Sequence, residues 1–128
     1  MPEAPRRAGV LLHLSSLPSP FGVGDLGPGA YRFVEFLVQA GMALWQILPF
    51  CPTEGGRGYS PYSASSAFAG NPLFISPELL VSMGLLTSED LADVPSFPEH
   101  RVAYDEVAAW KGRCLDTAFV RARRSPQM

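Results

Sequence analysis

Asp25 and Glu54 are the carboxylates whose placement first suggests chemistry. A site that breaks or transfers a glycosidic bond pairs two carboxyl groups, about 5 to 5.5 Å apart when configuration is retained. Each of these acids follows a short apolar run, so their loops should open on the same face of a sheet. Each also has an ordinary explanation. Asp25 lies in the glycine turn Gly22–Gly27 and Glu54 precedes Gly55 and Gly56, where turn bonding and solvation account for a carboxylate. The remaining acids, such as Glu78, Glu89, Asp90 and Asp93, crowd helix starts and ends, which is capping and solubility. Gly22, Gly24 and Gly27 spell GxGxxG, the pattern that seats a dinucleotide pyrophosphate at a helix N-terminus. The context is wrong for it. Ser15–Phe21, with two prolines, separates the first glycine from the preceding apolar run, and Leu48-Pro49-Phe50 stands where a ribose-binding acid should be. The glycines read as a tight turn before Pro28, and no cofactor is expected.

His13 and His100 have no Cys, His or carboxylate at ligand spacing, so no metal site is expected. His100 reads as surface. His13 ends the first apolar run, where a side chain faces the ligand mouth of a parallel barrel or sheet, and it is open between a site residue and a hydrogen-bonded structural one. The serines of Ser60–Ser66 lack the surroundings of a nucleophile elbow. The stretch Tyr59-Ser60-Pro61-Tyr62 is more informative, because aromatic faces, hydroxyls and a rigid proline suit a sugar, whose ring faces are apolar and whose hydroxyls demand hydrogen bonds. Trp45 either joins that surface or belongs to the core.

These residues need elements to hold them. Gly9–Leu14 is a short apolar run that suits a buried strand. Pro28 is at a helix N1 position, and Ala30, Phe33, Val34 and Leu37 recur at i, i+3, i+4 and i+7 until Gly41 closes the helix. Leu44–Leu48 is a second β-prone run ended by Pro49. Strand, helix, strand makes a βαβ unit with parallel strands. Pro52–Pro72 shows no period and reads as a long ordered loop, a length that is usually functional or disordered. Ser76 then caps a helix with Pro77 at N1, Leu79, Leu80 and Met83 on its apolar side, and Gly84 after it. Thr87 and Asp90 resemble a capping box opening another short helix. Val107, Trp110, Cys114, Ala118 and Ala122 mark one face of a last helix starting near Asp105, with Arg121, Arg123 and Arg124 as its cationic end.

Composition bounds the function classes. The chain has 128 residues, 47% of them hydrophobic, and a mean hydropathy of +0.10, enough for one core. A net charge of −2 with Lys111 as the single lysine gives no footprint for nucleic acid or an anionic membrane. No apolar run reaches the length of a membrane span. Arg6-Arg7 and the apolar residues after them imitate an export signal, but His13, Ser15 and Ser16 interrupt the run, so a cytoplasmic protein is expected. Cys51 and Cys114 are expected to be buried free thiols. Two parallel strands need both faces covered and more strands beside them, so the chain is expected to be incomplete as an independent fold.

Three blocks carry a family resemblance: LLHLSSLPSPFGVGDLG over Leu11–Gly27, WQILP over Trp45–Pro49 with Pro52-Thr53, and Ser60-Pro61-Tyr62 followed by SAFAGNP over Ser66–Pro72. In this order they resemble the N-terminal blocks of the 4-alpha-glucanotransferases known as amylomaltases or disproportionating enzymes. Weaker similarity runs on through Leu85-Leu86, Asp90-Leu91 and Val107–Lys111. The resemblance implies an α/β fold that is the first part of a (β/α)₈ barrel, with residues 1–72 starting the barrel and residues 73–128 starting a helical insertion. It implies that Ser60 and Tyr62 contact the donor glucan, with His13 and Tyr59 beside them at the C-terminal ends of the strands. The partners implied are an α-1,4-glucan or maltooligosaccharide donor and a sugar acceptor. The implied reaction is a retaining double displacement, in which an Asp attacks the anomeric carbon and a Glu protonates the leaving sugar. In the family those carboxylates come from later strands, and no position here matches them, so no catalytic residue is expected in this chain. Arg57-Gly58-Tyr59 departs from the Gly-Asp or Gly-Asn that many relatives carry before Ser-Pro-Tyr. The alternatives are a non-catalytic glucan-binding module using the same loop and a structural fragment that needs the rest of its barrel.

Overall fold

Two short strands, β1 (Gly9–Leu11) and β2 (Leu44–Gln46), pair in parallel with Val10 opposite Trp45, and the helix α1 (Pro28–Gln39) connects them. This is the βαβ unit that the hydrophobic pattern predicts. The computed structural model describes residues 6–124, so the first five residues of the expected segment 1–72 and the last four of 73–128 lie outside the described residues. The ladder extends slightly past the strands, through Ala43 N–H to the Ala8 carbonyl at 2.8 Å and Leu12 N–H to the Gln46 carbonyl at 3.0 Å. Beyond Leu12 the chain turns away, and Leu14, expected in the strand, lies in a 3₁₀ turn and is almost fully buried.

The strands are not the buried ones expected. Val10 and Trp45 are half-buried on the face that meets α1, while Leu11 and Leu44, on the opposite face, remain 60% and 51% exposed. α1 has Pro28 at N1 as expected, but it buries only Ala30 and Leu37, with Phe33 half-buried against Trp45; Val34, expected on the inner face, is exposed. The strand–helix unit therefore presents an apolar surface.

The core lies on the other side. Leu14, Leu17, Val23, Ala30, Leu73, Phe74 and Val107 form one cluster, and Phe21, Leu86, Trp110, Cys114 and Ala118 a second. Both draw on a long C-terminal helix, Tyr104–Arg124, whose Val107, Trp110, Cys114 and Ala118 are buried as the periodicity predicts. Glycine makes this packing possible where the β1–α1 loop doubles back: a Cβ on Gly24 would sit 2.0 Å from the Leu14 carbonyl oxygen, and Gly22, at φ +75°, lies against the Phe97 ring.

Between the two halves of the chain runs α2 (Pro77–Ser82), capped by Ser76 Oγ, which accepts from Leu79 N–H at 3.4 Å; the long helix Tyr104–Arg124 is α3. Met83, expected on the apolar side of α2, is exposed. Thr87 and Asp90 do exchange capping bonds, with Thr87 N–H donating to Asp90 Oδ2 at 2.7 Å and Asp90 N–H to Thr87 Oγ1 at 3.3 Å. These bonds open a single 3₁₀ turn, Glu89–Leu91, rather than the short helix expected. The Arg121 guanidinium binds the Asp90 carboxylate and the Leu85 carbonyl, so the cationic end of α3 ties down this turn. Both cysteines are free, Cys114 buried and Cys51 half-buried, which modifies the expectation for Cys51.

Candidate functional site

The aromatic loop after β2 has no regular period; it is a series of turns, of which the later ones are capped by the side chains of Ser60, Ser66 and Asn71. Gly55–Arg57 forms a 3₁₀ turn that ends in two successive left-handed residues, Gly58 at φ +65° and Tyr59 at φ +54°. For a tyrosine that backbone costs on the order of 1–2 kcal/mol. Contacts to the start of α3 offset it: the Tyr59 hydroxyl donates to Asp105 Oδ1 at 2.6 Å, and its ring stacks on Tyr104 at 4.7 Å and 14°. The bond to Asp105 also raises the Tyr59 pKa, since ionising the phenol would set an anion against a carboxylate.

The next turn presents Ser60 and Tyr62. Ser60 Oγ accepts from Tyr62 N–H at 3.3 Å and opens a 3₁₀ turn over Pro61–Ser63, while Arg57 braces the far side by donating to the Ser63 carbonyl at 3.3 Å. Tyr62 is 73% exposed, which leaves its side chain open to solvent. Further on, Ser66 Oγ accepts from Phe68 and Ala69 N–H. The loop closes at Asn71, whose Oδ1 accepts from Leu73 N–H at 3.0 Å and whose Nδ2 donates to Thr53 Oγ1 at 3.2 Å, joining the loop's two ends.

His13 succeeds β1 in extended conformation before the Leu14–Ser16 turn. Its ring meets the edge of Phe74 at 5.4 Å, its Nδ1 is buried without a partner among the described residues, and burial lowers its pKa, so the neutral imidazole is favoured. Phe74 also touches Phe50 at the start of the loop, at 4.9 Å. One aromatic ring thus supports His13 and the loop together. No hydrogen bond among the described residues joins His13 to Tyr59, Ser60 or Tyr62. Trp45 resolves as core: its Nε1 donates to the Leu12 carbonyl at 2.8 Å and its ring packs on Phe33 at 4.9 Å.

Asp25 and Glu54 do not form a reacting pair. Asp25 is buried with both oxygens engaged, Oδ1 by Gly27 N–H at 3.0 Å and Oδ2 by the Lys111 ammonium at 2.9 Å, while Glu54 is exposed at the loop's first turn. Sequence reasoning misses Lys111 as a structural centre, although it falls at i+4 from Val107 and i−3 from Cys114, inside the apolar stripe of α3. A lysine at such a position must find partners. It is 1% exposed and donates to Asp25, to the Leu73 carbonyl at 2.7 Å and to the Ile75 carbonyl at 3.1 Å. Burial pulls its pKa down, and Asp25 opposes that shift.

Two hollows lie near these residues. One of about 700 Å³ separates the Ser15–Pro20 loop from Phe97–Tyr104, and one of about 290 Å³ borders Tyr59, Arg101 and Asp105. His100 is exposed as expected but stands on the wall of the larger. Among the described residues no three His, Cys, Asp or Glu side chains gather to hold a metal ion, and no helix is long and apolar enough to cross a membrane.

The 4-alpha-glucanotransferase family pattern matches residues 12–128. The chain is 48% identical over 119 residues to the 4-alpha-glucanotransferase of Aquifex aeolicus, covering 93% of this chain and 24% of that protein. It is 49% identical over 117 residues to that of Thermus thermophilus, with coverage of 91% and 22%. For the chloroplastic or amyloplastic enzyme of Solanum tuberosum the figures are 44% over 122 residues, 94% and 21%. Among solved structures, an amylomaltase from Streptococcus agalactiae in complex with acarbose superposes with a TM-score of 0.88 at 34% identity, over 95% of this chain and 25% of that one. The chain spans about a quarter of the length of the curated relatives it matches.

Proposed function

The chain belongs to the 4-alpha-glucanotransferase family, and from that premise we propose that it is the N-terminal, glucan-contacting part of a transferase that moves a segment of an α-1,4-glucan to the 4-hydroxyl of an acceptor sugar. Its two parallel strands and helices are the opening of the (β/α)₈ barrel, and residues 73–128 begin a helical insertion on it. The loop after β2 is the donor-binding edge. Tyr62 lays its open ring face against the apolar face of a glucose unit, the Ser60 hydroxyl donates to a sugar oxygen, and Tyr59 and neutral His13 flank them. The observation that carries this reading is the exposed, turn-braced Tyr62 within the family-matched segment, together with the sugar analogue acarbose in the similar amylomaltase.

Catalysis is assigned elsewhere. A retaining double displacement needs a carboxylate free to attack the anomeric carbon and a second carboxyl to protonate the leaving oxygen. Asp25 is bonded away and Glu54 is solvated, so this chain alone binds without turning over. A calorimetric titration with maltoheptaose tests the binding. Saturable heat is expected, weakened about tenfold or more in Tyr62→Ala, as for loss of an aromatic anchor. Maltotriose incubated with the chain should release no glucose. Absence of saturable binding, or glucose release by the chain alone, would overturn the assignment.

A further inference from the structure

Lys111 lies outside the sugar loop, on α3, but its bonds reach the support beneath that loop. The ammonium donates to the carbonyls of Leu73 and Ile75, which stand on either side of Phe74 in the chain. Phe74 is 3% exposed, and its ring carries both His13 and Phe50. Its own carbonyl accepts from Leu26 N–H at 3.0 Å, one residue beyond Asp25, and Asp25 takes the third Lys111 hydrogen bond. Two residues before Leu73, Asn71 ties the loop's ends together. A single ammonium therefore joins the β1–α1 loop, the exit of the sugar loop and α3.

We propose that Lys111 is a positioning residue for the sugar-binding edge, fixing the Phe74 backbone on both sides so that His13 and the loop after β2 are presented in one arrangement. The inference rests on the assignment of that edge to glucan binding. An apolar side chain of similar length would fill the space, and replacing a buried ion pair by apolar groups is often neutral or stabilising. A methionine, however, grips no carbonyls. Three directed bonds from one buried cation specify where the Leu73–Ile75 segment sits, which bulk alone does not.

The test compares the full chain with Asp25→Asn/Lys111→Met, which removes the pair without stranding a charge, and with Ala118→Gly, which weakens the same helix away from Phe74. Readouts are amide exchange over residues 71–75 and the His13 imidazole titration followed by NMR. In the double variant the loop-exit amides should exchange about tenfold faster or more, the factor expected for lost charge-assisted bonds, and the His13 midpoint should move back toward the ordinary histidine value. Ala118→Gly should leave both readouts at wild-type values under conditions where it is folded. A folded double variant with wild-type exchange and an unmoved His13 overturns the proposal, as do equal effects in both variants. If the double variant does not fold, the wild type decides. Through-hydrogen-bond couplings from Lys111 Nζ to both the Leu73 and Ile75 carbonyl carbons sustain the proposal, and their absence ends it. None of these readouts contains sugar, so a failed maltoheptaose titration would sink the functional reading and leave the Lys111 result standing.

Discussion

Replacing Asn71 separates the two bonds that close the loop after β2. Asn71 is 5% exposed, caps the Pro72–Phe74 turn through Oδ1 and holds Thr53 through Nδ2. In Asn71→Ala the Leu73 N–H loses its cap, worth roughly 0.5–2 kcal/mol. The Thr53 bond goes too, at about 0.5–1.5 kcal/mol. The expected loss is about 2 kcal/mol, a large share of the ~5–15 kcal/mol typical of a domain. Asn71→Ser retains a cap of the kind that Ser60 already makes to Tyr62 N–H ahead of Pro61, but its shorter side chain does not reach Thr53. It should therefore cost only about 1 kcal/mol. Urea unfolding of the three chains gives the ordering, and amide exchange at Leu73 locates the effect. If alanine costs less than about 0.5 kcal/mol, or serine as much as alanine, then Asn71 does not close the loop through these two bonds.

Trp110 is 1% exposed and stacked on Phe21, yet its Nε1 has no partner among the described residues, so Trp110→Ala should cost about 3–5 kcal/mol in a urea melt while Trp110→Phe costs distinctly less, because it removes an unsatisfied N–H. The Arg121 guanidinium, with help from Thr87, holds the Asp90 carboxyl well below its usual value. Its contribution to stability is thus present above the unfolded value near 3.8 and lost as pH falls through the acid range; Asp90→Asn should flatten that slope in acid-denaturation curves. Tyr59→Phe removes the bond to Asp105 while leaving the left-handed backbone, so the Gly58–Ser60 amides should exchange faster. In the wild type, the Tyr59 phenol, followed by NMR, should ionise above the ordinary value, and Asp105→Asn should bring it back toward that value.

The βαβ unit is legible in the sequence because its elements are local: Pro28 and Gly41 bracket α1, and the runs flanking it are apolar. The stripe of α3 is legible for the same reason. Burial of the strands is not, since apolar runs state what a strand can bury and not whether a neighbour is present to cover it. In the loop, the residue types that suit a sugar are visible, and so is the tight turn at Gly22. The role of Asp25 is not. Its partner is 86 residues away, and no local rule connects a glycine-turn acid with a lysine in a distant helix stripe. The same holds for Tyr59 with Asp105 and for Phe74 beneath His13. Long-range polar pairs escape periodicity, although a lone lysine inside an apolar stripe signals that such a pair must exist.

The proposed glucan-binding edge is centred on Ser60 and Tyr62. An amide and side-chain NMR titration of the 128-residue chain with acarbose tests it most directly. Saturable shifts concentrated at Ser60, Tyr62, Tyr59 and His13 are expected, with α3 beyond Lys111 unmoved. Shifts absent at those residues, or spread evenly along the chain without saturation, would contradict it.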